Sequence, residues 1–169
     1  MTFQIGEKVV YPNQGVATVE NISLRSFGTQ PERFYLLRLA SSSMTVMVPF
    51  SHVQQVGLRK VTKSAEVTKV LDYLACGSVK CSEDWKRRFK ENSDKMQAGS
   101  LLEIAQVFKS LVILQHEKPL SFREKKMLER ARQMIIGEVA TARGLKESEA
   151  IELLTKALQR ASLRFPEAL

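Results

Sequence analysis

The chain has 169 residues, 44% of them hydrophobic, enough for one packed domain or two small ones. Lysine and arginine outnumber aspartate and glutamate by 26 to 18, a net charge of +8, which predicts an anionic partner, nucleic acid ahead of a membrane surface. No apolar run approaches the ~20 residues of a spanning helix, and Met1-Thr2-Phe3-Gln4-Ile5-Gly6 lacks the basic-then-apolar pattern of a signal peptide, so the expectation is a cytoplasmic protein.

Residues 1 to about 60 alternate like strands. Lys8-Val9-Val10-Tyr11, Val16-Ala17-Thr18-Val19, Phe34 to Leu39 and Met44 to Pro49 are rich in β-branched and aromatic residues. Pro12-Asn13-Gln14-Gly15, Phe27-Gly28-Thr29-Gln30-Pro31 and Ser41-Ser42-Ser43 read as turns between them. Four or five short strands in so little chain predict a small closed or half-closed barrel, which removes most of the sheet edges that would otherwise aggregate.

From about residue 64 the apolar period becomes helical. Ser64 precedes Val67, Val70, Leu71 and Leu74, with Gly77 as a stop, and Cys76 fits the end of that apolar face as a small buried hydrophobe. Ser82, followed by Glu83 and Asp84, is expected to cap the second helix. Ser100-Leu101-Leu102-Glu103 and Ser121-Phe122-Arg123-Glu124 are capping boxes for the third and fourth. Gly144 ends the fourth, and a fifth runs from about Lys146 to Ala161. The fold class is therefore α+β, a small β-barrel followed by an all-α domain of about five helices, divided as residues 1–62 and 63–169.

Phosphate loops, dinucleotide fingerprints, nucleophile elbows and zinc-protease motifs are all missing. Two cysteines, Cys76 and Cys81, make neither a disulfide framework nor a zinc site, and neither His52 nor His116 lies near them in sequence. His116, near a helix C-terminus, suits a partial positive charge. These features predict a protein that is not an enzyme, with no cofactor, metal or small-molecule substrate.

The stretch Ser82-Glu83-Asp84-Trp85-Lys86-Arg87-Arg88-Phe89-Lys90 holds the only tryptophan and the densest basic run. At 100° per residue Trp85, Arg88, Phe89 and Asn92 lie on one side of a helix. Two arrangements satisfy that pattern. In one, Trp85 and Phe89 are core and the basic residues form a solvated face. In the other, Trp85 is an exposed wedge for a DNA minor groove while Lys and Arg hold phosphates. Arg123, Lys125, Lys126, Arg130 and Arg132 form a second basic group, interleaved with Glu124 and Glu129.

Gly6, Val9-Val10-Tyr11-Pro12 and Gly15 resemble the opening of the CarD/CdnL family of bacterial transcription regulators. Thr45-Val46, Val48-Pro49, Gly57 and Arg59 fit its N-terminal domain. Trp85-Lys86-Arg87-Arg88-Phe89-Lys90 with Asn92 resembles its DNA-contacting helix. Leu120-Ser121, Glu124-Lys125, Met127-Leu128 and Ala131-Arg132 resemble a later helix. The resemblance runs from about residue 3 to about residue 143.

It implies a Tudor-like, SH3-like barrel that binds the RNA polymerase β subunit. It also implies a helical domain that contacts promoter DNA, with weak sequence preference, at the upstream edge of the transcription bubble and so stabilises the open complex. By position Trp85 is the minor-groove wedge, and Arg87, Lys90 and Lys125 are backbone contacts. Lys86 and Arg88, in the same run, are assigned to that DNA-binding surface. Arg25 is a polymerase contact. Met47 stands two positions before the strand's proline, where family members carry a basic residue, so that patch is expected to be more apolar. No basic AT-hook tail is present, which points to the stand-alone CdnL type. The competing reading is an RNA-binding or ribosome-associated module built on an SH3-like barrel.

Overall fold

The computed structural model describes residues 2–28, 30–79 and 83–168, in two compact units, Met1–Val61 and Thr62–Leu169. The first unit is a five-stranded antiparallel sheet: β1 (Lys8–Tyr11), β2 (Gly15–Phe27), β3 (Gln30–Leu39), β4 (Thr45–Pro49) and β5 (Arg59–Lys60), in the order β4-β3-β2-β1-β5. Its two end strands, β4 and β5, share no ladder among the described residues.

The β2–β3 hairpin is longer than simple alternation suggests. Ala17 and Val19 face the core, and the ladder then slips between Val19 and Asn21. The slip is a β-bulge, one extra residue that changes which parity of the strand points inward. Beyond it Ile22, opposite buried Tyr35, takes over the inward face, so the strand continues to Phe27. Strict period-two reading stops at Val19 because the bulge breaks the alternation there. Gly28, with φ +74, turns the chain into β3 at a conformation an L side chain rarely adopts.

Tyr35 organises the barrel core. Its ring stacks on Phe50 at 4.2 Å and meets Phe3 edge-on at 5.6 Å, and its hydroxyl accepts from the Phe3 backbone N–H at 3.0 Å. Val9, Leu37, Leu39, Val48, Val53 and Leu58 complete that core. A 3-10 turn (Phe50–His52) leads into α1 (Val53–Val56), so His52 closes a helical turn just beyond the strand end.

The second unit contains α2 (Ser64–Cys76), α3 (Trp85–Ala98), α4 (Leu101–Glu117), α5 (Phe122–Arg143) and α6 (Glu147–Arg160). Helix α4 is its centre. Ile104, Ala105, Val107, Phe108, Leu111 and Val112 are buried around much of its circumference, the pattern of a helix surrounded by others. Ser100 and Ser121 cap α4 and α5, each accepting from a glutamate N–H three residues on at 3.2 Å. Gly144 ends α5 in the left-handed region, and Leu145 N–H reaches back to the Ala140 carbonyl.

Two local expectations need correcting. The cap of α3 is Asp84, which accepts from Lys86 N–H at 3.2 Å, while Ser82 and Cys81 lie outside the described residues. Cys76 is exposed, and its thiol donates to the Asp72 carbonyl, because the apolar face of α2 ends at Leu74 and Ala75. His116 lies in the last turn of α4, as expected, and its Nε2 accepts from the Arg164 N–H at 3.3 Å.

That bond belongs to a C-terminal segment folded back on the bundle. Phe165 lies 5.7 Å from Phe108, Arg132 stacks over it at 5.3 Å, and Arg132 Nε donates to the Pro166 carbonyl. At the other end of the unit, buried Glu138 of α5 accepts from Thr62 N–H at 3.0 Å, so the helical unit holds the chain from its first residue.

Phe108 is fully buried whereas Phe122 is 72% exposed. Phe108→Ala is expected to cost about 3–5 kcal/mol of helical-unit stability, and Phe122→Ala to stay within about 0.5 kcal/mol of the parent. Urea unfolding of the two variants, followed by far-ultraviolet circular dichroism, checks the contrast.

Candidate nucleic-acid interface

The first turn of α3 is set by Asp84, whose carboxylate occupies one of the free N–H groups of the helix start. Trp85, the residue after this cap, has too few neighbours there to be enclosed and is 48% exposed. The core arrangement for Trp85 therefore does not hold. Lys86, Arg87 and Lys90 are exposed around it, and Arg87 forms an i,i+4 ion pair with Glu91 at 3.1 Å. Such an exposed pair is weak and readily exchanged for another anion. Phe89 is half-buried beneath the Arg123 guanidinium, 5.2 Å from its ring centre.

Arg88 departs from the DNA-contact expectation. It is only 4% exposed, and its guanidinium grips the carboxylate of equally buried Glu124, with Nε to Oε2 at 3.0 Å and an outer nitrogen to Oε1 at 3.4 Å. Glu124 is also the third residue of α5 and the acid of its capping box, its backbone N–H bound to Ser121. The ion pair thus joins the first turns of α3 and α5. A buried guanidinium so engaged is a structural clamp and is not presented to a phosphate.

The clamp brings the second basic group beside the first. Arg123, Lys125 and Lys126 of α5 are exposed, and Lys126 lies 4.5 Å over the ring of Phe122. Arg132, in contrast, is withdrawn onto Phe165 and Pro166. The surface so assembled carries Trp85, Lys86, Arg87, Lys90, Arg123, Lys125 and Lys126. Its most exposed aromatic, Phe122, escapes sequence analysis because the position after a serine cap reads as part of the capping box. The available signal is an aromatic residue off the buried periodicity of Leu128, Ala131 and Ile135.

On the barrel, Arg25 is exposed in β2 opposite Glu32, and Met47, 37% exposed, stands in β4 opposite Leu36. By ladder parity both side chains leave the sheet on the face away from Tyr35 and Leu37. β4 is also a terminal strand whose outer edge pairs with no other strand among the described residues. No group of three or more His, Cys, Asp or Glu side chains that could hold a metal occurs among the described residues.

Two family descriptions match the chain: CarD-like/TRCF RID domain over residues 3–62, and CarD, C-terminal domain, over residues 69–155. A candidate transcription factor by its name, YdeB of Bacillus subtilis (strain 168), is 33% identical over 147 residues, 87% of this chain and 96% of that protein. The solution NMR structure of the 72-residue N-terminal domain of Myxococcus xanthus CarD is 37% identical, covering 35% of this chain and 79% of that one, with a TM-score of 0.31.

The clamp makes a stability prediction. Arg88→Ala leaves the Glu124 carboxylate buried without its cation and should cost about 3–5 kcal/mol. The double variant, Arg88→Met with Glu124→Leu, should recover most of that loss, whereas Arg87→Ala should change stability by at most about 0.5 kcal/mol. Thermal and urea unfolding of the three variants decides the matter; equal effects of alanine at Arg87 and Arg88 would contradict the clamp.

Proposed function

The chain belongs to the CarD family of transcription regulators, and from that premise we propose that it attaches to RNA polymerase through residues 1–62 and steadies promoter DNA in the open state through residues 63–169. The activity is binding, not catalysis. The protein works in the cytoplasm, at the nucleoid, wherever polymerase holds it.

The observation that carries this reading is the exposure of Trp85 among cations. A half-exposed indole at a helix start, with Lys86, Arg87 and Lys90 exposed on the same helix and Lys125 exposed on the helix clamped to it, combines an apolar wedge with phosphate donors. Minor-groove architectural proteins use that combination, cations on the backbone and an apolar side chain at an unstacked step. The upstream edge of a transcription bubble is such a step, and a ring there fills the space that reclosing bases would need. Phosphate contacts carry no sequence information, so preference for particular promoters is weak.

Attachment to the polymerase β subunit is assigned to the outer face and free edge of the barrel. An unpaired strand edge is a template for pairing with a strand of another protein. β4 supplies the edge, Met47 an apolar contact and Arg25 a charged one.

Two measurements test the reading. Trp85→Ala is expected to leave the melting temperature unchanged and polymerase binding intact. It should shorten the half-life of the open complex about tenfold, the effect of removing ~1.4 kcal/mol of stabilisation that acts only after opening. An unchanged half-life would sink the wedge. Separately, Met47→Glu in the full chain should abolish co-purification with the polymerase β subunit without changing the fold, as judged by circular dichroism. Undiminished recovery would move the attachment surface elsewhere.

A further inference from the structure

A half-open cavity of about 280 Å³ lies between α2, α3 and α4, beside the end of α2. Tyr73, Ser78, Asn92, Lys95, Gln106 and Ser110 line it. Asn92 and Lys95 are one turn apart on α3, and Gln106 and Ser110 one turn apart on α4. No carboxylate is among the described lining residues. The volume is far more than one water or a bare ion occupies, and it approaches the lower range of small-molecule sites.

Three features give this cavity a chemical preference. First, Asn92 is more than nine-tenths buried, yet its amide nitrogen has no hydrogen-bond partner, an arrangement that native structures seldom leave unanswered. Second, Lys95 reaches the cavity without an ionic partner among the described residues. Third, a buried cation stands behind the wall. The Lys109 ammonium donates to the carbonyls of Tyr73 and Gly77 at 2.8 and 2.7 Å, and it lies 5.2 Å from the Tyr73 ring centre. No carboxylate of the described residues neutralises it, and burial pushes its pKa below the usual lysine value, with Cys76 opposing. The two carbonyl dipoles take two of its three protons and leave its charge uncancelled.

The wall is shaped closely. A Cβ on Gly77 would sit 2.3 Å from the Tyr73 ring and 2.6 Å from its carbonyl oxygen, so only glycine lets the α2 terminus close over Lys109. Two cations and an unanswered N–H donor favour an oxyanion. Gln106, Ser110 and Ser78 supply partners for hydroxyl groups on the same molecule.

We propose that this cavity is a binding site for a small phosphorylated metabolite, its phosphate held by Asn92 and Lys95 and its hydroxyl-bearing body by Gln106, Ser110 and Ser78. The ligand ties α3 to α2 and α4. Trp85 begins that same α3, seven residues before Asn92, or about 10 Å along the axis. Occupancy therefore stiffens the helix that carries the exposed indole. The site does not depend on the polymerase reading and is measured on the free protein.

The test is a titration of the full chain with ribose 5-phosphate, followed by amide and side-chain N–H chemical shifts. The expected result is a saturable shift of the Asn92 side-chain amide with a Kd of about 1 mM or tighter. Unphosphorylated ribose should produce no such shift, and inorganic phosphate should bind the same residues at least fivefold more weakly. Lys95→Met, and independently Gln106→Glu, should weaken binding at least tenfold while leaving the melting temperature close to the parent's. Absence of saturation, equal affinity for inorganic phosphate, a response to ribose alone, or undiminished binding by both variants would each overturn the assignment.

Discussion

The geometry of the helical unit turns on one buried ion pair. Arg88 and Glu124 are separated by 36 residues, and neither belongs to the apolar core. Two charges withdrawn from water are costly, and their attraction offsets that cost only when the geometry is good and remaining polar atoms are satisfied. Here two nitrogens meet two oxygens, and Glu124 is anchored by the cap of its own helix. A greasy pair of similar volume could hold α3 and α5 together as firmly. What it could not supply is a fixed rotation, because a guanidinium fork accepts a carboxylate in few orientations. With that rotation fixed, Trp85 and the lysines that begin both helices are exposed.

Much of this was legible in the sequence. The serine caps at Ser100 and Ser121 are local signals and read directly as helix starts. The helical run of α4 is legible because apolar residues surround it. The change from period two to period 3.6 near residue 60 marks where strands give way to helices. Illegible features are those settled by contacts distant in the chain. A helical wheel puts Arg88 on the side of Trp85 and Phe89, but it cannot say that Glu124 waits there. The reading of Arg88 as a DNA contact fails for that reason. The same wheel cannot tell that Trp85, one residue past the cap, projects beyond the bundle while Phe89, one turn later, is half covered. The β2 bulge hides the outer half of the hairpin, since period-two reasoning assumes an unbroken phase.

Polar atoms in the helical interior are distributed unevenly. Glu138 and Glu124 receive donors, and Ser110 donates to the Val107 carbonyl. Lys109 reinforces the α2 terminus: Gly77 is extended, not left-handed, its N–H still bonds the Tyr73 carbonyl at 2.7 Å, and the ammonium adds bonds to the Tyr73 and Gly77 carbonyls. The end of α2 is therefore held by a side chain from α4, which sets a full positive charge against the partial negative charge of a helix C-terminus.

The bond between Thr62 and Glu138 has a consequence for how weak contacts add up. β5 ends at Lys60 and the helical unit grips the chain at Thr62, leaving Val61 as the covalent joint. A tether that short turns a second binding event into an intramolecular one at an effective concentration on the order of millimolar, provided the geometry permits both. Sequence-independent DNA binding has a Kd of about 10⁻⁴ M or tighter at physiological salt. Against ~1 mM of local DNA, such a surface is occupied about nine-tenths of the time. Under the proposed function, the same surface released from its anchor would face ordinary solution concentrations and let go. A protein that worked this way would have no need of an affinity that would scatter it along the chromosome.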